Sequence, residues 1–409
     1  MTRGVVIIGA GHGGSQVGFS LRQEGYEGPI HLLSEELDLP YHKPPLSKAF
    51  LKTPDQEPQI LRAGKAYADA RIEFHPGTRV EAIDRIARRL VLAGGGTLAY
   101  EHLVIATGAS NRRLSMPGHD LQGIFSLRTL ADAAALRGAM ADAGHVAVIG
   151  GGFIGLEAAA TFAALGKSVT VIELAPTILG RAVSPMVAAH VDAEYRKLGI
   201  RIDARTALKT LQGEAGRVRS ITLAGGETIA ADLVLAGIGA TPNDGLARQA
   251  GLDCDNGITV DGMLRTSDPS IFAIGDVAGY PHVHAGRRVR LESVQNASDH
   301  AKYVAQVITG KPGDYREIPW FWSDQGPMKL QMTGLSFDAD RFVTTGDPSA
   351  NAFSVYHFRG ERLIAVDSIN RSGDHMLARR MLAAGISPSE DDLKTGPECL
   401  KALLTRQQA

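Results

Sequence analysis

The chain has little cysteine. Its 409 residues hold two, Cys254 and Cys399, far apart and in no CxxC or metal-like spacing, which excludes a disulfide-stapled scaffold and fits a reducing compartment. Neither sign of charge is in excess. With 43 basic and 44 acidic residues there is no global field to gather nucleic acid or an anionic membrane, so a charged partner must be met by a local patch. No run approaches the ~20 uninterrupted apolar residues of a membrane span. The first strand pattern begins within a few residues of the N-terminus and leaves no room for a cleavable leader. A cytoplasmic protein with neither nucleic acid nor membrane as partner is expected. Apolar residues make up 44% of the chain, enough for two or three cored domains.

Glycine, by contrast, is abundant, and it recurs in one pattern. Val5 to Ile8 runs into Gly9-Ala10-Gly11-His12-Gly13-Gly14, and Val146 to Ile149 runs into Gly150-Gly151-Gly152-Phe153-Ile154-Gly155. A lone GxGxxG carries little weight, because 47 glycines in this length give roughly 0.6 chance matches. Context raises the signal. Each copy follows a β-branched run suited to a buried parallel strand and opens into a helical pattern, Ser15 to Glu24 and Leu156 to Leu165. Such glycines let the backbone turn sharply, approach a pyrophosphate closely and pack helix on strand, with the helix N-terminus facing the anion. An acid at the end of the next strand should accept from a ribose diol. Glu35 follows Ile30 to Ser34, and Glu173 follows Val169 to Ile172. Two bound dinucleotides are expected.

The organisation repeats accordingly. The first motif leads, through a Pro-rich excursion and strands at 79–83 and 89–92, to Leu103-Val104-Ile105-Ala106-Thr107-Gly108; the second leads, through a helix at 185–198, to Leu233 to Gly239. Ser270 to Asp276 reads as a further buried strand ending in Gly275-Asp276 that returns to the first domain. The expected fold class is α/β: two Rossmann-like dinucleotide-binding domains plus a C-terminal α+β domain. The boundaries are 1–112 with 242–320, 113–241, and 321–409. In the tail, strands at 353–358 and 362–367 and a helix at 374–384 are expected, then a late short helix and a polar end with little to bury.

The ordered set GxGxxG, ATG, GxGxxG, GIG and GD resembles the two-dinucleotide flavoprotein reductases of the glutathione-reductase-like superfamily. Pro44-Pro45-Leu46-Ser47-Lys48, Leu127 to Leu130, Arg290 to Ala297, Pro319 to Gln325 and Leu363 to Asp367 resemble, more narrowly, the FAD-dependent ferredoxin reductases of bacterial oxygenase systems, and the likeness runs nearly end to end. It implies tightly bound, non-covalent FAD at Gly9, Gly11, Gly13, Gly14, Glu35, Lys48, Val80, Ala106, Thr107, Gly108, Arg128, Gly275, Asp276 and Val294. It implies the pyridine nucleotide at Gly150, Gly152, Gly155, Glu157, Glu173, Arg181 and Gly237. Lys48 and Glu157 are the implied catalytic residues, an ion pair beside the reactive flavin nitrogen; otherwise Lys48 is a solvated lysine after a Pro-Pro turn and Glu157 an ordinary first-turn helix acid. His42-Lys43 and Ser110-Asn111 depart from the Asp-Arg and Arg-Pro usual in such relatives.

An acid at Glu173 favours NADH over NADPH, Arg181 being the one counter-argument. No cysteine precedes Cys254, so neither a CxxxxC dithiol nor a single peroxidatic cysteine stands in the first domain, and thiol chemistry is excluded there. The resemblance implies hydride transfer from NADH to FAD, then single electrons to a [2Fe-2S] ferredoxin that supplies a haem-thiolate monooxygenase or a ring-hydroxylating dioxygenase. A basic patch of Arg287, Arg288, Lys302 and Lys329 is expected to dock it, with Gln331 where a relative has lysine. Trp320 and Trp322 either shield the flavin or pack under the third domain. No metal is expected, and His282-Val283-His284 reads as a loop pair. Rubredoxin or quinone reduction and a non-catalytic flavin scaffold are the alternatives.

Overall fold

The computed structural model describes residues 3–180, 182–313 and 315–406. They form two compact units. The first takes the chain up to residue 42, then 58–110 and 241–319; the second takes 43–57, 111–240 and everything from 320 on.

In the first unit, the apolar strand Gly4–Ile8 is buried throughout, as a strand covered on both faces must be. It pairs in parallel with Ile30–Leu33 on one side and with Thr97–Ile105 on the other. Ile72–His75 extends the sheet beyond Ile30–Leu33, and Ile271–Ala273 pairs in parallel with the far end of Thr97–Ile105. An antiparallel ribbon, Val80–Asp84 with Arg89–Leu92, continues from the near end of that long strand. Helix His12–Gln23 lies beside helix Val294–Ile308, whose first turn is capped by Ser293 accepting from Asn296 N. The chain leaves and re-enters this unit at a tied point. Asn243 N donates to Gly108 O and Asn243 Nδ2 to Thr107 O, each at 2.9 Å, while Ser110 Oγ donates to Asn243 Oδ1 at 2.7 Å.

The second unit holds a second parallel sheet, ordered Arg201–Asp203, Ser168–Ile172, His145–Ile149, Leu233–Ala236 and Ile124–Phe125. A three-stranded antiparallel sheet, Leu208–Glu214, Arg217–Leu223 and Thr228–Ala230, shares a core with it through Leu211, Val218 and Ile221 against Ile149, Ile172 and Val234. The excursion after His42 belongs here: the 3-10 turn Pro44–Ser47 packs on helix Phe153–Ala164, and helix Ala49–Lys52 packs on helix Leu130–Ala139, with the Arg137 guanidinium 4.1 Å above the Phe50 ring. From residue 320 a five-stranded antiparallel sheet follows, in the order Trp320–Gln325, Met328–Gly334, Arg362–Ile369, Ala352–Arg359, Arg341–Asp347.

The α/β class with two dinucleotide folds and an α+β tail is thus what the chain adopts. One expectation about the tail fails. The end of the chain is not a polar segment with little to bury: helices Glu390–Thr395 and Pro397–Arg406 place Leu393, Leu400 and Leu404 in one core with Phe358, Val366, Leu377 and Met381. Leu400 and Leu404, four residues apart, share one face of the last helix, and Leu393 joins them from the helix before it; the charges around them hide this from composition alone.

Candidate dinucleotide seats and a buried ion pair

The two glycine motifs use their residues alike. Gly9 and Gly150 have φ of +100° and +105°, and a Cβ on either would stand 2.4 Å from a carbonyl oxygen, of Ala106 and of Gly237 respectively. Gly14 and Gly155 bring their helices against the preceding turn, where a Cβ would lie 1.8 Å from Gly9 O and 2.5 Å from Gly150 O. Between them, Gly11 and Gly152 face open space, with no protein atom within 4 Å of an added Cβ. Each caps a twelve-residue helix that has no side-chain cap and no acid in its first turn. Other helices are capped by Thr129, Ser184, Ser293 and Ser389. Two helix N-termini with open approaches and uncapped N–H donors fit two pyrophosphates.

The remaining expected residues of the first unit lie about this frame. Gly13 packs against Ile274 and Ala297, and Ala106 N donates to Ile8 O at 2.8 Å. Val80 is buried at the start of its strand. Glu35 is exposed, its nearest cation Arg79 at 3.4 Å. Gly275 and Asp276 form a 3-10 turn: Gly275 N donates to His300 Nδ1 at 3.2 Å, and Arg290 Nη1 donates to Asp276 O at 2.8 Å. Burial holds His300 down at about 3, so its ring is neutral and its Nδ1 lone pair is available to that turn. Val294 is the first residue of the helix that Ser293 caps.

In the second unit Glu173 is clamped. Its Oε2 accepts from Gly151 N and its Oε1 from Ala175 N, both at 2.6 Å. Gly237 N donates to Ile149 O at 2.8 Å, next to Gly155. Arg128 N donates to the Asp132 carboxylate, which with Thr129 forms a capping box. Arg181 lies outside the described residues.

The expected ion pair between Lys48 and Glu157 is present, Nζ to Oε1 at 3.1 Å, and Lys48 also meets Asp324 Oδ2 at 3.0 Å. Glu157, only 8% exposed, is surrounded by donors. Ser47 Oγ donates to Oε2 at 2.7 Å, while Ser323 Oγ and Asp324 N donate to Oε1. Gln325 Nε2 supports Ser323 Oγ at 2.7 Å, and Tyr195 OH donates to Gln325 Oε1 at 2.6 Å. Burial first, and the charge of Glu157 second, push the Tyr195 hydroxyl well above its ordinary value, so it stays a donor. A buried charge is tolerable only when paired and fully hydrogen-bonded, and this one is. The motif Ser323-Asp324-Gln325 stood out in the sequence, but its link to Glu157 and the part of Tyr195 did not.

The expected docking cations Arg287, Arg288, Lys302 and Lys329 are all exposed. Arg288 nevertheless donates to Val260 O at 2.7 Å, and Lys302 lies 3.5 Å from Asp299. Gln331 is buried and accepts from Ser372 Oγ at 2.9 Å, so it does not belong to an exposed patch. Trp320 and Trp322 pack together with ring centroids 5.5 Å apart, and Trp320 also meets His375 and the Arg379 guanidinium. His282 is buried at a strand end rather than in a loop, with Nδ1 accepting from His284 N.

The family model described as pyridine nucleotide-disulphide oxidoreductase matches residues 3–301, and the one described as reductase C-terminal matches 320–404. The chain belongs to the pyridine nucleotide-disulphide oxidoreductase family. It is therefore an oxidoreductase, and one whose two cysteines both lie outside the glycine motifs and the stretch that carries Lys48. Burial raises the Cys254 thiol, and a hydrogen bond to the Asp392 carboxylate raises that of Cys399, so neither is activated. Rhodocoxin reductase of Rhodococcus erythropolis is 44% identical over 93% of this chain and 89% of its own length. A rubredoxin-NAD(+) reductase of Pseudomonas putida is 42% identical over 90% and 95%. The crystal structure of the ferredoxin reductase for the CYP199A2 system of Rhodopseudomonas palustris superimposes with a TM-score of 0.94 at 43% identity, covering 96% of this chain and 97% of that one. Among the described residues no helix is long and apolar enough to cross a membrane.

Proposed function

We propose that this oxidoreductase carries electrons from NADH through tightly and non-covalently bound FAD to a [2Fe-2S] ferredoxin that supplies an oxygenase. The observation that carries the reading is the pair of uncapped, open glycine seats in a chain without a thiol relay. FAD, when bound, accepts a hydride from the nicotinamide and gives up its electrons one at a time.

The residues of this chain do the rest. Gly9, Gly11, Gly13 and Gly14 with the N-terminus of helix His12–Gln23 take the FAD pyrophosphate, Glu35 the adenine ribose, and Asp276 a ribityl hydroxyl. Val80, Ala106 to Gly108, Gly275 and Val294 line the same seat. Gly150, Gly152, Gly155 and Gly237 hold the pyridine nucleotide. Lys48, fixed by Glu157 and Asp324, supplies the positive charge that favours a reduced, anionic flavin, and Arg128 adds to it. Glu173 selects NADH. Its two backbone donors stop it from swinging aside, and a 2′-phosphate ~4 Å away would meet a repulsion of at most about 4 kcal/mol per unit charge, lowered by screening.

Arg287, Arg288, Lys302 and Lys329 meet the acidic ferredoxin. Two unactivated cysteines fit a cytoplasmic setting. A rubredoxin as acceptor is the second reading, favoured because relatives named for rhodocoxin and for rubredoxin resemble this chain almost equally. Purified protein is expected to be yellow and to reduce cytochrome c with NADH only when ferredoxin is added. Colourless protein that refuses FAD, or turnover with rubredoxin alone, would overturn the corresponding part.

A further inference from the structure

The first unit gathers three metal-ligating side chains on neighbouring parallel strands. Ile30–Leu33 and Ile72–His75 run in register, His31 opposite Glu73 and Leu33 opposite His75. Alternate strand residues share a face, so Glu73 and His75 point the same way, and His31 meets them both. His31 Nδ1 lies 3.1 Å from His75 Nε2 and 3.1 Å from Glu73 Oε2, and His75 Nε2 lies 3.7 Å from Glu73 Oε1. Donors at about 2.0–2.1 Å from a tetrahedral zinc ion stand about 3.3–3.4 Å from one another. The His31–His75 edge is near that size; Glu73 meets the two rings through different oxygens, and one ligand atom from each of the three residues lies within 4.8 Å of the others.

We propose that His31, Glu73 and His75 bind one divalent first-row transition cation, of which zinc is the natural probe. Two imidazole nitrogens and one carboxylate oxygen suit such an ion better than magnesium or calcium, which prefer oxygen. Without a cation the cluster is frustrated, because His31 Nδ1 faces two neighbours at equal distance and holds one proton at most. The carboxylate, 65% exposed, gives the entry side, with water in the fourth position, while the imidazoles are largely covered. Ile72–His75 ends the run of paired strands, and its neighbour leads into Glu35. A bound ion would therefore tie the sheet's last strand to the one that delivers the ribose acid. The other histidine pairs are poorer: His282 already uses Nδ1, and His12 with His42 offers no third ligand among the described residues.

The test is titration of zinc chloride into the full-length, untagged protein by calorimetry, with circular dichroism to monitor folding and thermal midpoint. One equivalent should bind and raise the midpoint; magnesium should not compete. His75→Ala should abolish both effects, Glu73→Gln, at an exposed position that does not threaten folding, should weaken them, and His284→Ala should leave them unchanged. Binding that survives in both His75→Ala and Glu73→Gln, or no binding at micromolar zinc, would overturn the proposal. If His75→Ala fails to fold, Glu73→Gln decides alone.

Discussion

The seat that begins at Gly9 and the seat that begins at Gly150 share a backbone, yet the acids that close them are held differently. Glu35 is 72% exposed and has one loose contact with an equally exposed arginine, a kind of pair worth little. Glu173 accepts two short backbone hydrogen bonds and is aimed before any ligand arrives. The contrast suits the proposed occupants, FAD that stays in the first seat and NADH that exchanges in the second: a group that stays can complete its own seat, whereas one that exchanges at every turnover gains from a seat arranged beforehand. The first seat has something the second lacks: a neutral, fully buried histidine beneath the turn of Gly275 and Asp276.

The largest way to break this comparison is to fill the helix–turn contacts. Gly14→Ala puts a methyl 1.8 Å from Gly9 O and should exceed the ~1–3 kcal/mol of ordinary overpacking, giving protein without flavin absorbance. Gly155→Ala, at 2.5 Å, should keep the flavin and lose NADH turnover. Next, Lys48→Met should slow flavin reduction by NADH about 10²-fold in stopped flow at unchanged flavin content. A smaller effect is expected with acid. His300 titrates at about 3 when folded against 6.5 ordinarily, so protons favour the unfolded chain; its contribution is complete above pH 6.5 and is lost as pH falls toward 3. By about pH 5 the loss is roughly 2 kcal/mol, read as a falling urea midpoint with flavin release, and His300→Gln should flatten the slope. His282, held at about 4 by burial, acts in the same direction. The mildest changes concern the acids themselves. Glu173→Gln should move the NADPH:NADH ratio of kcat/KM about tenfold toward NADPH, and Glu35→Gln should alter flavin retention only about threefold.

What the sequence reveals follows the range of each constraint. The glycine motifs, Glu35 and Glu173 are legible because turn, helix start and strand end lie within a few residues of one another. The pair of Lys48 and Glu157 comes only through resemblance, since packing of a 3-10 turn on a distant helix joins them. Tyr195 and Gln325 are silent in sequence for the same reason: nothing local announces that a strand of the C-terminal sheet steadies an acid of another fold. His31 and His75 meet because of parallel register, which a single sequence does not display. The burial of Leu393, Leu400 and Leu404 was missed, because charged residues around them make the end of the chain read as polar.

The knot of hydrogen bonds joining Asn243 to Thr107, Gly108 and Ser110 bears on how the chain closes. It fastens the neck through which the chain departs and comes home, so the length of what hangs beyond it weighs only logarithmically on closure. Insertions in the surface loops between Ser110 and Thr241 should therefore leave the sheet that holds Gly9 in place.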